Sequence, residues 1–96
     1  MKIAVMGYGT IGSGVVEVLR INKEKIAKRA GEPVEVKYIL DLREFPGDPM
    51  EDAIVHDYQA IVNDPEIGIV VETMGGVEPA YTFVKAMLEA GKQVTT

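Results

Sequence analysis

The chain has no cysteine, a single histidine and no long uninterrupted apolar run. Without cysteine there is no disulfide frame, no thiol nucleophile and no thiolate metal site, and no metal is expected. No apolar stretch approaches the roughly 20 residues that span a bilayer, and no secretory signal precedes the first strand. Positive charge is scarce as well. Ten lysines and arginines against fifteen acids leave a net charge of −5. Nucleic acids and anionic membrane surfaces select basic faces, so neither is an expected partner. These absences leave a cytoplasmic, metal-free chain of 96 residues, enough for one small domain.

What is present is concentrated at the start. Lys2-Ile3-Ala4-Val5-Met6 is a short apolar strand that runs directly into Gly7-Tyr8-Gly9-Thr10-Ile11-Gly12, and a helical pattern opens behind it. Strand, Gly-x-Gly-x-x-Gly and helix in that order form the pyrophosphate-binding turn of a dinucleotide fold. Gly7 is expected to make the tight turn off the strand. Gly9 is expected to let the backbone approach two phosphates, and Gly12 to let the helix pack closely on the strand. The helix would then aim its unpaired N–H groups and positive dipole end at the phosphate charge.

Behind the glycines, Ile11, Val15, Val18, Leu19 and Ile26 recur at helical spacing and predict one helix from Thr10 to Ala30, stopped by Gly31. Val34 to Leu40 reads as the second strand. The polar Asp41 to Glu51 stretch carries Pro46-Gly47-Asp48-Pro49 and reads as a loop. Ala53 to His56 predicts a very short strand, and Asp57 a cap for a brief helix ending near Val62. Ile67 to Thr73, with Ile69-Val70-Val71, is the kind of run buried on both faces of a parallel sheet. Met74-Gly75-Gly76 turns the chain, and Pro79 suits the start of a helix whose apolar stripe is Ala80, Phe83, Val84, Met87 and Leu88. Gly91 is placed to cap it, and Gln93 to Thr96 begins a last strand.

Strands alternating with helices at crossover length predict an α/β fold. The expectation is a Rossmann-type parallel sheet with helices on both faces, residues 1–96 being an NAD(P)-binding domain that lacks the later strands. In such sheets the ligand lies outside the carboxyl ends of the strands, where strand order switches. The strand-end clusters are Gly7 to Gly12, Asp41-Leu42-Arg43, Thr73-Met74-Gly75-Gly76 and Thr95-Thr96. Asp41 sits where an acid holds the adenosine ribose and repels a 2′-phosphate, which favours NAD. It lies 29 residues past Gly12, later than the usual offset of about 20. Arg43 is the sort of side chain that pairs with a 2′-phosphate and makes NADP usable. The cofactor is therefore NAD or NADP. Gly75-Gly76 would leave room for a nicotinamide ring.

Gly7 to Val16, then Val70-Val71-Glu72-Thr73-Met74-Gly75-Gly76-Val77-Glu78-Pro79-Ala80, then Ala90-Gly91-Lys92-Gln93-Val94-Thr95-Thr96 together resemble the homoserine dehydrogenases, and the resemblance covers the whole chain. It implies NAD(P)-linked interconversion of aspartate semialdehyde and homoserine in amino-acid biosynthesis. It also implies that Gly9, Thr10, Ile11 and Gly12 hold the pyrophosphate and that the residues around Arg43 meet the adenosine end. Thr73 to Gly76 would border the nicotinamide ribose. In that family an Asn-Lys pair follows the position of Thr96, and a further domain holds the small-molecule substrate with the lysine and aspartate credited with proton transfer.

Hydride transfer to a carbonyl needs a donor or cation for the developing alkoxide. The strand-end clusters offer threonines but no well-placed lysine, histidine or tyrosine, so no catalytic residue is expected in this segment. His56 reads as structural, Lys92 as solvated at the far end of the sheet, Glu72 as the end of its strand. Tyr8 is expected to cover cofactor or pack locally. Other readings are a non-catalytic NAD(H)-sensing module, the cofactor domain of another semialdehyde or imine oxidoreductase, and a scaffold without nucleotide. An open edge at the last strand predicts a homo-oligomer.

Overall fold

The computed structural model describes residues 1–74 and 80–96. Five strands form one parallel sheet: β1 (Lys2–Met6), β2 (Glu35–Leu40), β3 (Ile54–Val55), β4 (Ile67–Glu72) and β5 (Gln93–Thr95). Their order across the sheet is β3-β2-β1-β4-β5. The chain builds outward from β1 in one direction, then crosses back to continue on the other side. The switch point therefore lies between β1 and β4, directly beyond the strand that feeds the glycine turn.

β1 is the central strand, and side chains alternate across it. Ala4 and Met6 face one layer with Leu40, Val70, Ile61 of α3 (Gln59–Val62) and Met87 of α4 (Ala80–Glu89). Val5 faces the other with Ile39 and Val16 of α1 (Thr10–Ile21). Helices thus cover both faces, as the continuous apolar strands require. Tyr58 and Phe83 stack with ring centroids 4.9 Å apart and close the first layer.

The single helix expected from Thr10 to Ala30 is two, α1 and α2 (Lys23–Ala30). Asn22 leaves helical geometry (φ −100°, ψ 24°), and its side-chain amide donates to the Val18 carbonyl at 3.1 Å. Its backbone amide also donates to that carbonyl, at 3.0 Å, and its own carbonyl accepts from the Ile26 amide at 2.9 Å, so the break lies in the Asn22 dihedral angles and not in a lost ladder bond. The apolar stripe also differs in phase. Ile11 and Val18 are exposed, and the buried positions of α1 are Gly12 and Val16. Close approach at Gly12 sets the rotation of the helix, so the residue four further on meets the sheet. On α4, Leu88 is exposed while Ala80 and Met87 are buried. The cap position of α3 is Tyr58 and not Asp57, which lies one residue earlier and accepts the Gln59 amide at 2.9 Å.

Lys92 is not solvated. It is 7% exposed, and its Nζ donates to the carbonyls of Asp64 and Ile67, each at 2.8 Å. Asp64 in turn accepts from Lys37 and from the Tyr38 hydroxyl (2.7 Å), so this network ties the N-terminal ends of β2, β4 and β5 together. Lys92→Met keeps the apolar stem and leaves the carbonyls without that donor. A loss of about 2 kcal/mol is expected, read as a lower urea midpoint at unchanged slope.

Candidate cofactor site

The glycine turn is built as the motif requires. Gly7 has φ +99°, left-handed backbone that side-chain-bearing residues rarely adopt, and its amide donates to the Leu40 carbonyl at 2.7 Å. A Cβ on Gly12 would stand 1.9 Å from the Gly7 carbonyl oxygen, so only glycine allows α1 to start this close to β1. Gly9 is different. A Cβ there would meet only an Arg43 guanidinium nitrogen, at 3.8 Å. Its outer face is a cradle that a side chain would fill, and it opens at the N-terminus of α1. Gly9 caps that helix with no side-chain hydrogen bond, and no acid occupies the first turn. The first amides of α1 and the helix dipole are thus available to an anion.

Gly7, Gly9, Asp41, Leu42, Arg43, Thr73 and Met74 line one cleft of about 370 Å³ at the switch point. The ends of β1, β2 and β4 therefore meet as expected. Thr73 locks the junction: its amide donates to the Met6 carbonyl at 3.0 Å, and its hydroxyl lies 2.8 Å from the same oxygen and 3.1 Å from the Gly7 carbonyl. Met74 is fixed by its amide, which donates to Glu72 at 2.6 Å. Ile11 and Leu42 are exposed. Gly75 and Gly76 lie outside the described residues.

Asp41 and Arg43 are joined to each other in this structure. Asp41 is 9% exposed, and its carboxylate accepts from the Tyr8 amide (2.9 Å), the Arg43 amide (2.9 Å), and Nε and Nη2 of the Arg43 guanidinium (3.0 Å each). Arg43 itself is exposed and lies 5.3 Å from the centre of the Phe45 ring. The Arg43 guanidinium holds the Asp41 carboxyl down at about 2; the amides of Arg43 and Tyr8 add to this, and burial opposes it. The folded pKa lies below the ordinary carboxylate value. The stability this supplies is therefore full above about pH 4 and lost as pH falls toward 2. Stability measured across that window should slope less steeply in Asp41→Asn than in the parent chain.

The partners that anchor this corner lie far from Tyr8 in the sequence. The Tyr8 ring packs edge-on against Phe45 at 5.0 Å and donates its hydroxyl to Asp48 at 2.8 Å. Burial first, then the Asp48 contact, pushes its phenol up to about 12. Of the two roles expected for Tyr8, local packing is the one observed. His56 is structural as expected: Nδ1 lies 2.7 Å from the Asp41 carbonyl and Nε2 lies 3.1 Å from Glu44. The only signal for these contacts was the turn-forming Pro46-Gly47-Asp48-Pro49 segment, and it named no partner. Among the described residues no cluster of acids and histidine could hold a metal, and no helix is long and apolar enough to cross a membrane.

A parallel sheet with this strand order, a Gly-x-Gly-x-x-Gly turn at its switch point and an acid at the end of β2 defines a Rossmann-type dinucleotide-binding domain, with NAD or NADP as cofactor. Residues 7–96 match the family described as the homoserine dehydrogenase NAD-binding domain, and the chain belongs to that family. It is 38% identical to the homoserine dehydrogenase of Methylobacillus glycogenes over 101 residues, covering all of this chain and 24% of that protein. Against the Pseudomonas aeruginosa homoserine dehydrogenase the identity is 39% over 97 residues, covering all of this chain and 22% of that protein. The S. aureus homoserine dehydrogenase structure superposes with a TM-score of 0.86 at 32% identity, covering 98% of this chain and 25% of that one. The chain thus spans about a quarter of the length of the relatives it matches.

Proposed function

We propose that this chain is the cofactor-binding part of a homoserine dehydrogenase. The full-length protein would interconvert L-aspartate 4-semialdehyde and L-homoserine in threonine, methionine and isoleucine biosynthesis. The observation that carries this reading is the Gly7 to Gly12 turn, closed at Gly12 and open at Gly9, within a chain whose relatives are homoserine dehydrogenases. Gly9, Thr10, Ile11 and Gly12 would hold the pyrophosphate, with Gly7 and Tyr8 shaping the turn beneath it. Asp41, Leu42 and Arg43 would meet the adenosine ribose, and Thr73, Met74, Gly75 and Gly76 would border the nicotinamide ribose. When bound, the nicotinamide supplies or accepts the hydride. The substrate and the groups that move its proton would belong to a further domain, so the 96-residue segment alone turns over nothing.

The protein is read as a cytoplasmic homo-oligomer.

The test is made on the full-length protein. Oxidation of homoserine with NAD or NADP, and none by residues 1–96 alone, is the expected result. Failure with homoserine but reduction of another semialdehyde or an imine would overturn the substrate and leave the cofactor site standing.

A further inference from the structure

An acid at the end of β2 is ordinarily read as a ribose acceptor that sets the choice between NAD and NADP. The geometry points to a different main duty for Asp41: it is a positioning residue that holds the glycine turn in its phosphate-receiving shape. This rests on the proposed cofactor site and deepens it.

The Asp41 carboxylate serves donors from two segments of the chain. Oδ2 accepts the Tyr8 amide at 2.9 Å across 33 residues of sequence, in a buried contact. Tyr8 is the residue between Gly7 and Gly9, and its N–H belongs to the Gly7–Tyr8 peptide, so this bond fixes the turn one residue before Gly9. Both ends of that residue are held by the β2–β3 connection, since the Tyr8 hydroxyl also donates to Asp48. Asp41 is itself clamped. Its amide donates to the Val55 carbonyl at 3.1 Å, and its carbonyl lies 2.7 Å from His56 Nδ1. The remaining carboxylate capacity is taken by the Arg43 amide and guanidinium. A carboxylate so occupied acts on the cofactor mainly through the turn.

A turn-holding role affects both cofactors equally, because NAD and NADP share the pyrophosphate. A ribose-reading role affects them in opposite directions. In the full-length enzyme, Asp41→Ala should raise the KM for NAD and for NADP by a similar factor. That factor is about tenfold in each case, because the turn loses the one charge-assisted bond that Asp41 makes to it. Asp41→Asn, whose amide oxygen still accepts the Tyr8 N–H, should recover most of that loss for both. Weaker NAD binding with unchanged or tighter NADP binding in both variants would overturn the proposal.

Amide hydrogen exchange reads the same contact where Asp41→Ala does not fold. In the parent enzyme without nucleotide, the Tyr8 amide should exchange slowly, and free exchange there would overturn the proposal. Absence of any NADH or NADPH binding by the parent enzyme would overturn the cofactor site and this inference with it.

Discussion

Gly12→Ala should be the most damaging single substitution in the glycine turn. The added Cβ would lie 1.9 Å from the Gly7 carbonyl oxygen, 2.8 Å from its carbon and 2.9 Å from the Thr73 hydroxyl. Two of those three atoms are backbone, so no rotamer change relieves the clash. Instead α1 must move off β1, and Val16 then loses its packing on Val5 and Ile39. Overpacking of this kind costs about 3 kcal/mol or more, a large share of a small domain's stability. The unfolding midpoint should fall accordingly, and nucleotide binding should go with it, because the first amides of α1 leave their place. A midpoint equal to that of the parent chain would mean that helix and strand do not approach as described.

Gly9→Val should do the reverse. Gly9 has an extended backbone (φ −81°, ψ −157°) that valine adopts without strain, and its Cβ would meet only Arg43 at 3.8 Å. Stability should stay within about 0.5 kcal/mol of the parent. Binding of NADH and NADPH should weaken about 100-fold, because the side chain fills the space through which phosphates reach the amides of α1. Unchanged affinity in a folded Gly9→Val chain would leave the turn purely structural. The two glycines separate the roles cleanly, one closing the fold and the other leaving it open to a ligand.

Which residues gather at the switch point was legible because both signals involved are local. Glycine spacing after an apolar strand is a property of a few consecutive residues, and strand–helix alternation dictates a parallel sheet with ligands at the carboxyl ends. Asp41, Arg43 and Thr73 were found in this way, as residues directly after strands. Their partners were not legible. Tyr8 meets Asp48, Asp41 meets Tyr8, and His56 meets the Asp41 carbonyl across 15 to 40 residues of sequence. No periodicity encodes such pairings.

Lys92 and Asn22 fail for related reasons. A lysine before a strand has the composition of a surface residue, and only the neighbouring carbonyls of Asp64 and Ile67 make it a buried one. Asn22 sits in a run with good helical spacing, and the departure of its dihedral angles from helical values leaves no mark on that spacing.

The sequence by itself therefore determined the class of fold, the order of its elements and the glycine turn at the switch point of the sheet. Each of these rests on backbone stereochemistry and hydrophobic period, which act over a few residues. Tertiary structure alone decided the face that α1 buries, the joining of Asp41 and Arg43 into one clamp, and the burial of Lys92. Those outcomes depend on close packing and hydrogen-bond satisfaction between segments distant in the chain, and they exist only once the sheet has assembled.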